Sequence, residues 1–280
     1  MIVVSVRLTL LLIRSSIEYG VAAFSQFGDI AKMTQPASYP GICNICGSKG
    51  EFVRGEGRSV RESFACPGCR AALRYRDQAA LIVDEFARGR AIFLRNLVSS
   101  GMLNEFAIFE AALRGPFVNA FRGLKGYVQT YFWPDRPLGE IGSDGVRNED
   151  LTRLTLPANS FDLVITSDVM EHLYDIRGAF SEIARVLKPG GVHIFSIPND
   201  WPFPERTEPR VALVDGVEEH IKPARHHVSG DGTPCLVYYD YGADIVDIIA
   251  EFNCHTQVVR RHSPLDPCYV NATFVSRKIR

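Results

Sequence analysis

An α/β fold built on a parallel sheet, with a small zinc ribbon ahead of it, is what this sequence predicts. Three observations carry that expectation. From about residue 104 onward, short apolar runs alternate with amphipathic stretches of helical period. Ahead of them, Cys43, Cys46, Cys66 and Cys69 form two CxxC pairs in a stretch poor in apolar residues. The chain of 280 residues, 46% hydrophobic and 22% charged, is long enough and apolar enough for a full core.

The bulk numbers also exclude. A formal net charge of −1 gives no global argument for a nucleic-acid or membrane-surface partner. The seven cysteines are an odd number, and four of them are paired at metal-ligand spacing. Both features argue against a secreted disulfide framework and for a reducing, cytoplasmic location. The first residues, MIVVSVRLTLLLIRSS, form an apolar stretch interrupted by Arg7 and Arg14. Such a stretch lacks the form of a signal peptide and falls short of the roughly 20 apolar residues of a span. Residues 1–40 are therefore expected to be an extension, helical or disordered, with Met33 as an alternative start.

In chain order, residues 41–75 come first as the ribbon. CNIC and CPGC are separated by 19 residues, a two-pair zinc spacing in which each CxxC supplies two thiolates from one tight turn. A structural, fully ligated Zn²⁺ would stabilise a segment that cannot bury a core alone; four unligated cysteines or a redox pair are the other readings of this spacing. The arginines crowding the ribbon (Arg54, Arg58, Arg61, Arg70, Arg74, Arg76) are expected on a solvated surface balanced by Glu51, Glu56, Glu62 and Asp77. A phosphate or nucleic-acid contact is the alternative.

Next, Ala79, Leu81, Ile82, Phe86 and Phe93 recur at helical spacing, which predicts a linker helix within 76–103 that packs on the main domain of 104–280. FAIFEA, YVQTYF, FDLVIT and VHIFSIP read as successive strands. Between the last two, Ile176, Ala179, Phe180, Ile183 and Leu187 line one face of a helix that Pro189-Gly190-Gly191 should stop. YGADIVDIIAEFN predicts another helix, and VNATFVSRK a closing strand.

Open α/β sheets bind ligands beyond the carboxyl ends of their strands. The polar residues there are Glu110 to Gly115, Tyr131 to Asp135, Glu149-Asp150, Ser167 to His172 and Pro198 to Trp201. Within this frame, NEDLTRLTLPANSFDLVITSDVMEHLYDIRGAFSEIARVLKPGGVHIFSIP closely resembles the core of class I S-adenosylmethionine-dependent methyltransferases of the type 11-like kind. The matching pieces are an acid before LxxLxxPxxSFD, then SDVxEH, then LKPGG. The likeness extends over roughly residues 104 to 200.

That resemblance implies a doubly wound, mostly parallel, seven-stranded Rossmann-like sheet and S-adenosyl-L-methionine as cofactor. It implies that Asp150 accepts a hydrogen bond from the adenine amino group while the Leu151 backbone donates one. Ser167 and Asp168 would floor the methionine part. Two positions depart from the family pattern. Where an acid is followed by GxGxG, Glu110 is followed by Ala112, Arg114 and Pro116, with Gly115 displaced. Where an acid holds both ribose hydroxyls stands Tyr131, with Asp135 four residues on. A remodelled but usable loop is the expectation.

Methyl transfer from a sulfonium is an in-line displacement that needs alignment, plus a base if the acceptor is protonated. His172 and His227, with His226 beside it, are the candidate bases. Trp201, Phe203, Arg206, Arg210, Tyr238, Tyr239 and Tyr241 are candidates for an acceptor pocket suited to a small polar molecule or glycan. The expected function is thus methyl transfer to a small polar or saccharide acceptor. An RNA or protein methyltransferase docking through the ribbon, and a non-catalytic scaffold, are the alternatives. No membrane span is expected, and the oligomeric state is open.

Overall fold

The computed structural model describes residues 36–279 except 88, 200, 201, 216 and 262–266. Most of the expected N-terminal extension, and Trp201, therefore lie outside the described residues.

The ribbon opens with β1 (Ser38–Ile42) paired antiparallel to β2 (Lys49–Val53). The turn between them holds Cys43 and Cys46, with Gly47 at φ 78°, a conformation that costs glycine little. Phe52, Val60 and Phe64 are too few for a core of their own, and they join a larger one. They pack in one buried cluster with Leu73, Ile82, Ile108, Leu163 and Ile194. The ribbon thus lies against one face of the main sheet and shares its core.

The expected linker helix is two helices. α1 (Leu73–Phe86) packs on the sheet, and α2 (Leu94–Ser99) follows a turn containing Gly89 at φ 77°. A helix start leaves backbone N–H groups unpaired. The first cysteine turn supplies two acceptors: Leu94 N–H donates to the Asn44 carbonyl and Arg95 N–H to that of Ile45, each at 2.8 Å.

The sheet is then built from β3 (Ile108–Ala111), α3 (Pro116–Phe121), β4 (Tyr127–Tyr131), β5 (Arg147–Asn148), β6 (Phe161–Ser167), α4 (Ile176–Val186) and β7 (Leu187–Ser196). A run of short antiparallel pairs comes next: β8 (Glu208–Pro209), β9 (Val211–Val214), β10 (Val217–His220), β11 (His226–Val228), β12 (Pro234–Leu236) and β13 (Tyr239–Asp240). The chain closes with α5 (Ile245–Ala250), β14 (Cys254–Val259) and β15 (Thr273–Lys278). The seven-stranded sheet has the order β14-β15-β7-β6-β3-β4-β5. Strands β3 to β7 run parallel, whereas β15 is antiparallel to both β7 and β14. The expected mostly parallel, doubly wound sheet is therefore the one formed, with α4 and α5 on the face opposite the ribbon.

Two boundaries differ from expectation. α4 stops at Val186, before Pro189-Gly190-Gly191, because the turn at Asn159-Ser160 caps its last carbonyls. Asn159 N–H donates to Arg185 O at 2.9 Å and Ser160 N–H to Val186 O at 2.7 Å. The Pro-Gly-Gly segment instead falls inside β7, where Gly190 takes φ 82°. No helix among the described residues is long and apolar enough to cross a membrane.

Candidate cofactor and metal sites

The strand order reverses at the junction of β3 and β6, and in such sheets a crevice opens there at the carboxyl ends. The segments flanking it are the β3–α3 loop, residues 112–115, and the segment after β6, residues 168–172.

The β3–α3 loop is held from below. Gln129 of β4 donates from one Nε2 to the carbonyls of Ala112 and Leu113, both at 2.9 Å. Gly115 sits at φ 152°, and among the described residues a Cβ there would meet only the Tyr75 hydroxyl, 3.9 Å away. The displaced glycine is therefore where both unusual backbone and open space occur. Glu110 faces inward, fully buried, and accepts from the Tyr127 hydroxyl at 2.6 Å. Burial pushes its carboxyl up to about 8 despite that hydrogen bond, so it is mostly neutral at pH 7.

At the end of β4, Tyr131 is half-buried, and its hydroxyl faces Ser229 and Asp231. The 229–233 turn lies over the loop: a Cβ on Gly230 would come within 3.1 Å of Leu113 and 3.6 Å of Tyr131. Asp135 is exposed. After β5, Asp150 accepts at one oxygen from the Thr152 N–H (2.9 Å) and hydroxyl (2.7 Å), and at the other from Arg153 Nε (3.1 Å). Leu151 is buried beside it, and its N–H donates to no backbone carbonyl among the described residues.

Ser167 donates to Gln78 Oε1 at 2.8 Å, and Gln78 in turn donates to the carbonyls of Thr166 and Ile194. Asp168, at φ 56°, carries a pair of ribbon arginines. Arg61 binds it bidentately at 2.8 Å through each nitrogen, Arg74 Nε lies 3.3 Å away, and Ser196 Oγ donates at 2.9 Å. Although burial opposes ionisation, the two guanidiniums hold this carboxyl well below the usual carboxylate range. Arg74 also lies 3.8 Å over the Tyr75 ring, and Tyr75 packs edge-on against Phe117 of α3. The ribbon thus abuts both sides of the crevice. The expected solvated arginine surface is corrected at three positions. Arg61 and Arg74 are ion-paired, and buried Arg76 donates to the Tyr39 hydroxyl and the Phe64 carbonyl.

Further along, the 3₁₀ turn Met170–His172 brings Glu171 and His172 under the β11–β12 hairpin, where His227 lies. The Tyr238 N–H donates to Glu171 O at 2.8 Å, and the buried Tyr241 hydroxyl to Met170 O at 2.9 Å. Of the other acceptor-pocket candidates, Arg210 is buried in an ion pair with Asp240 at 2.7 Å. Phe203 packs against Phe274, and Tyr239 donates to the Tyr174 carbonyl. Those groups hold the hairpin region together, with Asp240 gathering Arg210, Lys222 and Arg225.

The four ribbon cysteines converge, their sulfurs all lying within 4.8 Å of one another. Cys43 and Cys69 are 3.6 Å apart, as are Cys46 and Cys66. A tetrahedron with Zn–S of about 2.3 Å has S···S edges of about 3.8 Å, so the set fits a zinc ion. Backbone N–H groups of Ile45, Gly68 and Cys69 point at these sulfurs at 3.3–3.4 Å, as they do around thiolates. Burial raises the Cys69 thiol to about 11 and Cys43 further. Cys46 is drawn down to about 6, because hydrogen bonds with Ser48 outweigh its burial.

Sequence reasoning missed Gln78, Gln129 and the Arg61–Asp168 contact. A polar residue at an inward strand position, as in YVQTYF, is the signal that marks Gln129. The arginine contact spans 107 residues and leaves no local pattern.

The chain matches the family described as methyltransferase domain over residues 136–195. A probable S-adenosylmethionine-dependent methyltransferase of Mycolicibacterium smegmatis is 45% identical over 65 residues, covering 23% of this chain and 25% of that protein. A sterol 24-C-methyltransferase of Aspergillus fumigatus is 35% identical over 80 residues, 26% of this chain and 21% of that one. The chain thus spans about a quarter of the length of these curated relatives. Among solved structures, the sugar N-methyltransferase KedS8 from a Streptoalloteichus species is similar at 16% identity, covering 70% of this chain and 92% of that one, with a TM-score of 0.44. The match to that methyltransferase-domain family runs from ahead of β5 through nearly all of β7.

Proposed function

We propose that the protein is an S-adenosylmethionine-dependent methyltransferase acting on a small polar or saccharide acceptor, with a structural Zn²⁺ held by Cys43, Cys46, Cys66 and Cys69. The observation that carries this reading is the switch point. The Ala112–Gly115 loop, Tyr131, Asp150-Leu151 and Ser167-Asp168 lie at or just beyond the carboxyl ends of four adjacent parallel strands. When bound, the cofactor supplies an electrophilic methyl on a sulfonium.

What the chain's own residues would do follows from their placement. Gln129 fixes the loop carbonyls, so the loop presents its backbone without the usual glycines. Gly115 leaves the space in which a cofactor's polar chain would lie. Asp150 is oriented by Thr152 and sits beside the Leu151 N–H, an acceptor and a donor on one turn. The 229–233 turn, packed on Leu113 and Tyr131, would exclude water from the ribose side. Glu171 and His172, at the end of the segment after β6, and His227 on the hairpin above it would supply the acceptor side. Docking of RNA through the ribbon has less support, since Arg61, Arg74 and Arg76 are spent on internal contacts.

Asp150→Ala tests the adenine assignment. Loss of a partly buried hydrogen-bond acceptor should weaken S-adenosylmethionine binding by about 1–3 kcal/mol. The melting temperature serves as the check on folding. Unchanged affinity in folded variant protein would remove Asp150 from the site.

A further inference from the structure

Glu171 is an anomaly. Its side chain is 1% exposed, and neither carboxylate oxygen has a hydrogen-bond partner among the described residues. A buried carboxylate without donors is costly and persists only where something compensates its charge. The nearest candidates are two imidazoles. His172 Nε2 stands 3.6 Å and His227 Nδ1 3.4 Å from the same Oε1. Those separations are too long for charge-assisted hydrogen bonds, which run at about 2.7–2.9 Å.

The separations suit ligands of a shared ion. With metal–N and metal–O bonds of about 2.0–2.2 Å and angles between octahedral and tetrahedral, neighbouring donor atoms lie about 3.0–3.5 Å apart. The three donor atoms here all fall within 4.8 Å of one another, so only a small contraction is needed. The rings stand perpendicular, at 88° with centroids 5.1 Å apart, so they approach the shared centre from different directions. His172 is also oriented as ligating histidines usually are. Its Nδ1 lies 2.7 Å from the Leu236 carbonyl, which places the proton there and leaves the Nε2 lone pair facing Glu171. Two further ties hold the arrangement: the Tyr238 N–H on the Glu171 carbonyl, and the β11–β12 pairing that positions His227 opposite Cys235.

We propose that Glu171, His172 and His227 bind a divalent first-row transition-metal ion, separate from the ribbon cysteines. Two imidazoles and one carboxylate form a borderline-to-hard donor set, unlike the soft thiolates of the ribbon. Three protein ligands leave coordination positions for water or for an oxygen of an acceptor. Within the methyl-transfer reading, the two histidines then act as ligands, because an imidazole whose lone pair is on a cation accepts no proton.

The test uses the full chain with its ribbon loaded with zinc, and Mn²⁺ as the probe. Mn²⁺ binding is followed by loss of the free-ion paramagnetic resonance signal. The expected result is saturation at one ion per chain, with affinity lowered at least about tenfold in Glu171→Gln, the lower end for losing even an outer-shell partner. His227→Ala, on the half-exposed hairpin, should show the same loss with an unchanged melting temperature. No uptake at millimolar Mn²⁺, or uptake unaltered in both variants, would overturn the site and leave Glu171 as the centre of an ion pair. Since no S-adenosylmethionine is present, this outcome is independent of whether the protein transfers methyl groups.

Discussion

Asp168→Asn should destabilise the protein by about 3 kcal/mol, the low end for removing one partner of a buried ion pair. The reason lies in what remains. Arg61, whose side chain is only 11% exposed, would lose its carboxylate partner in a partly desolvated junction, whereas Arg74, 12% exposed, keeps its ion pair with Glu62. Asparagine tolerates the φ of 56° and can still accept from Ser196, so the substitution isolates the charge. The pH dependence has a definite sign. The folded-state carboxyl of Asp168 is depressed, so its stabilisation is present above the ordinary aspartate value of about 3.9 and fades as the pH falls below it. Denaturant melts of both proteins should therefore differ most near neutrality, with the gap starting to narrow below about pH 4 and closing only below the depressed folded-state value. Equal stability at pH 7 would mean that the Arg61–Asp168 contact does not join ribbon to sheet.

Stripping the ribbon metal should have a larger effect. Structural zinc sites in small modules contribute on the order of 10 kcal/mol of apparent binding energy at pH 7. Here the consequence should reach beyond the ribbon, because Phe52, Val60 and Phe64 belong to the same core as Ile108, Leu163 and Ile194. α2 would lose its cap as well, since its first N–H groups bind the carbonyls of Asn44 and Ile45 between two of the cysteines. Incubation with 1,10-phenanthroline should release one zinc per chain and expose four thiols to titration. The melting temperature should fall by about 10 °C or more, given about 2–4 °C per kcal/mol for a chain of this size. Four thiols that titrate freely before chelation, with no metal released, would contradict the zinc assignment.

The parallel sheet was legible because its strands read as short, largely apolar runs, interrupted by buried polar residues such as Glu110 and Gln129. FAIFEA and YVQTYF contain the strands that form, and FDLVIT covers its strand except the last residue, Ser167. α4 was legible from its apolar face, although its end was set two residues early by the distant Asn159-Ser160 turn, which no helical period records. The cysteine turns were legible because the four ligands come in two locally fixed pairs. What stayed hidden depends on contacts across long separations. Arg61 meets Asp168 and Gln78 meets Ser167 only once the ribbon folds back on the sheet. The Glu171–His172–His227 group was half-visible: two members are adjacent in SDVMEH, while the third arrives on a hairpin whose register the sequence leaves open.

Calorimetric titration of folded, zinc-loaded protein with S-adenosylmethionine tests the central claim most directly. Saturable binding of one cofactor per chain, weaker than a full glycine loop would give but complete below millimolar concentration, is the predicted result. Heats no larger than those of dilution at millimolar cofactor would contradict the methyltransferase reading.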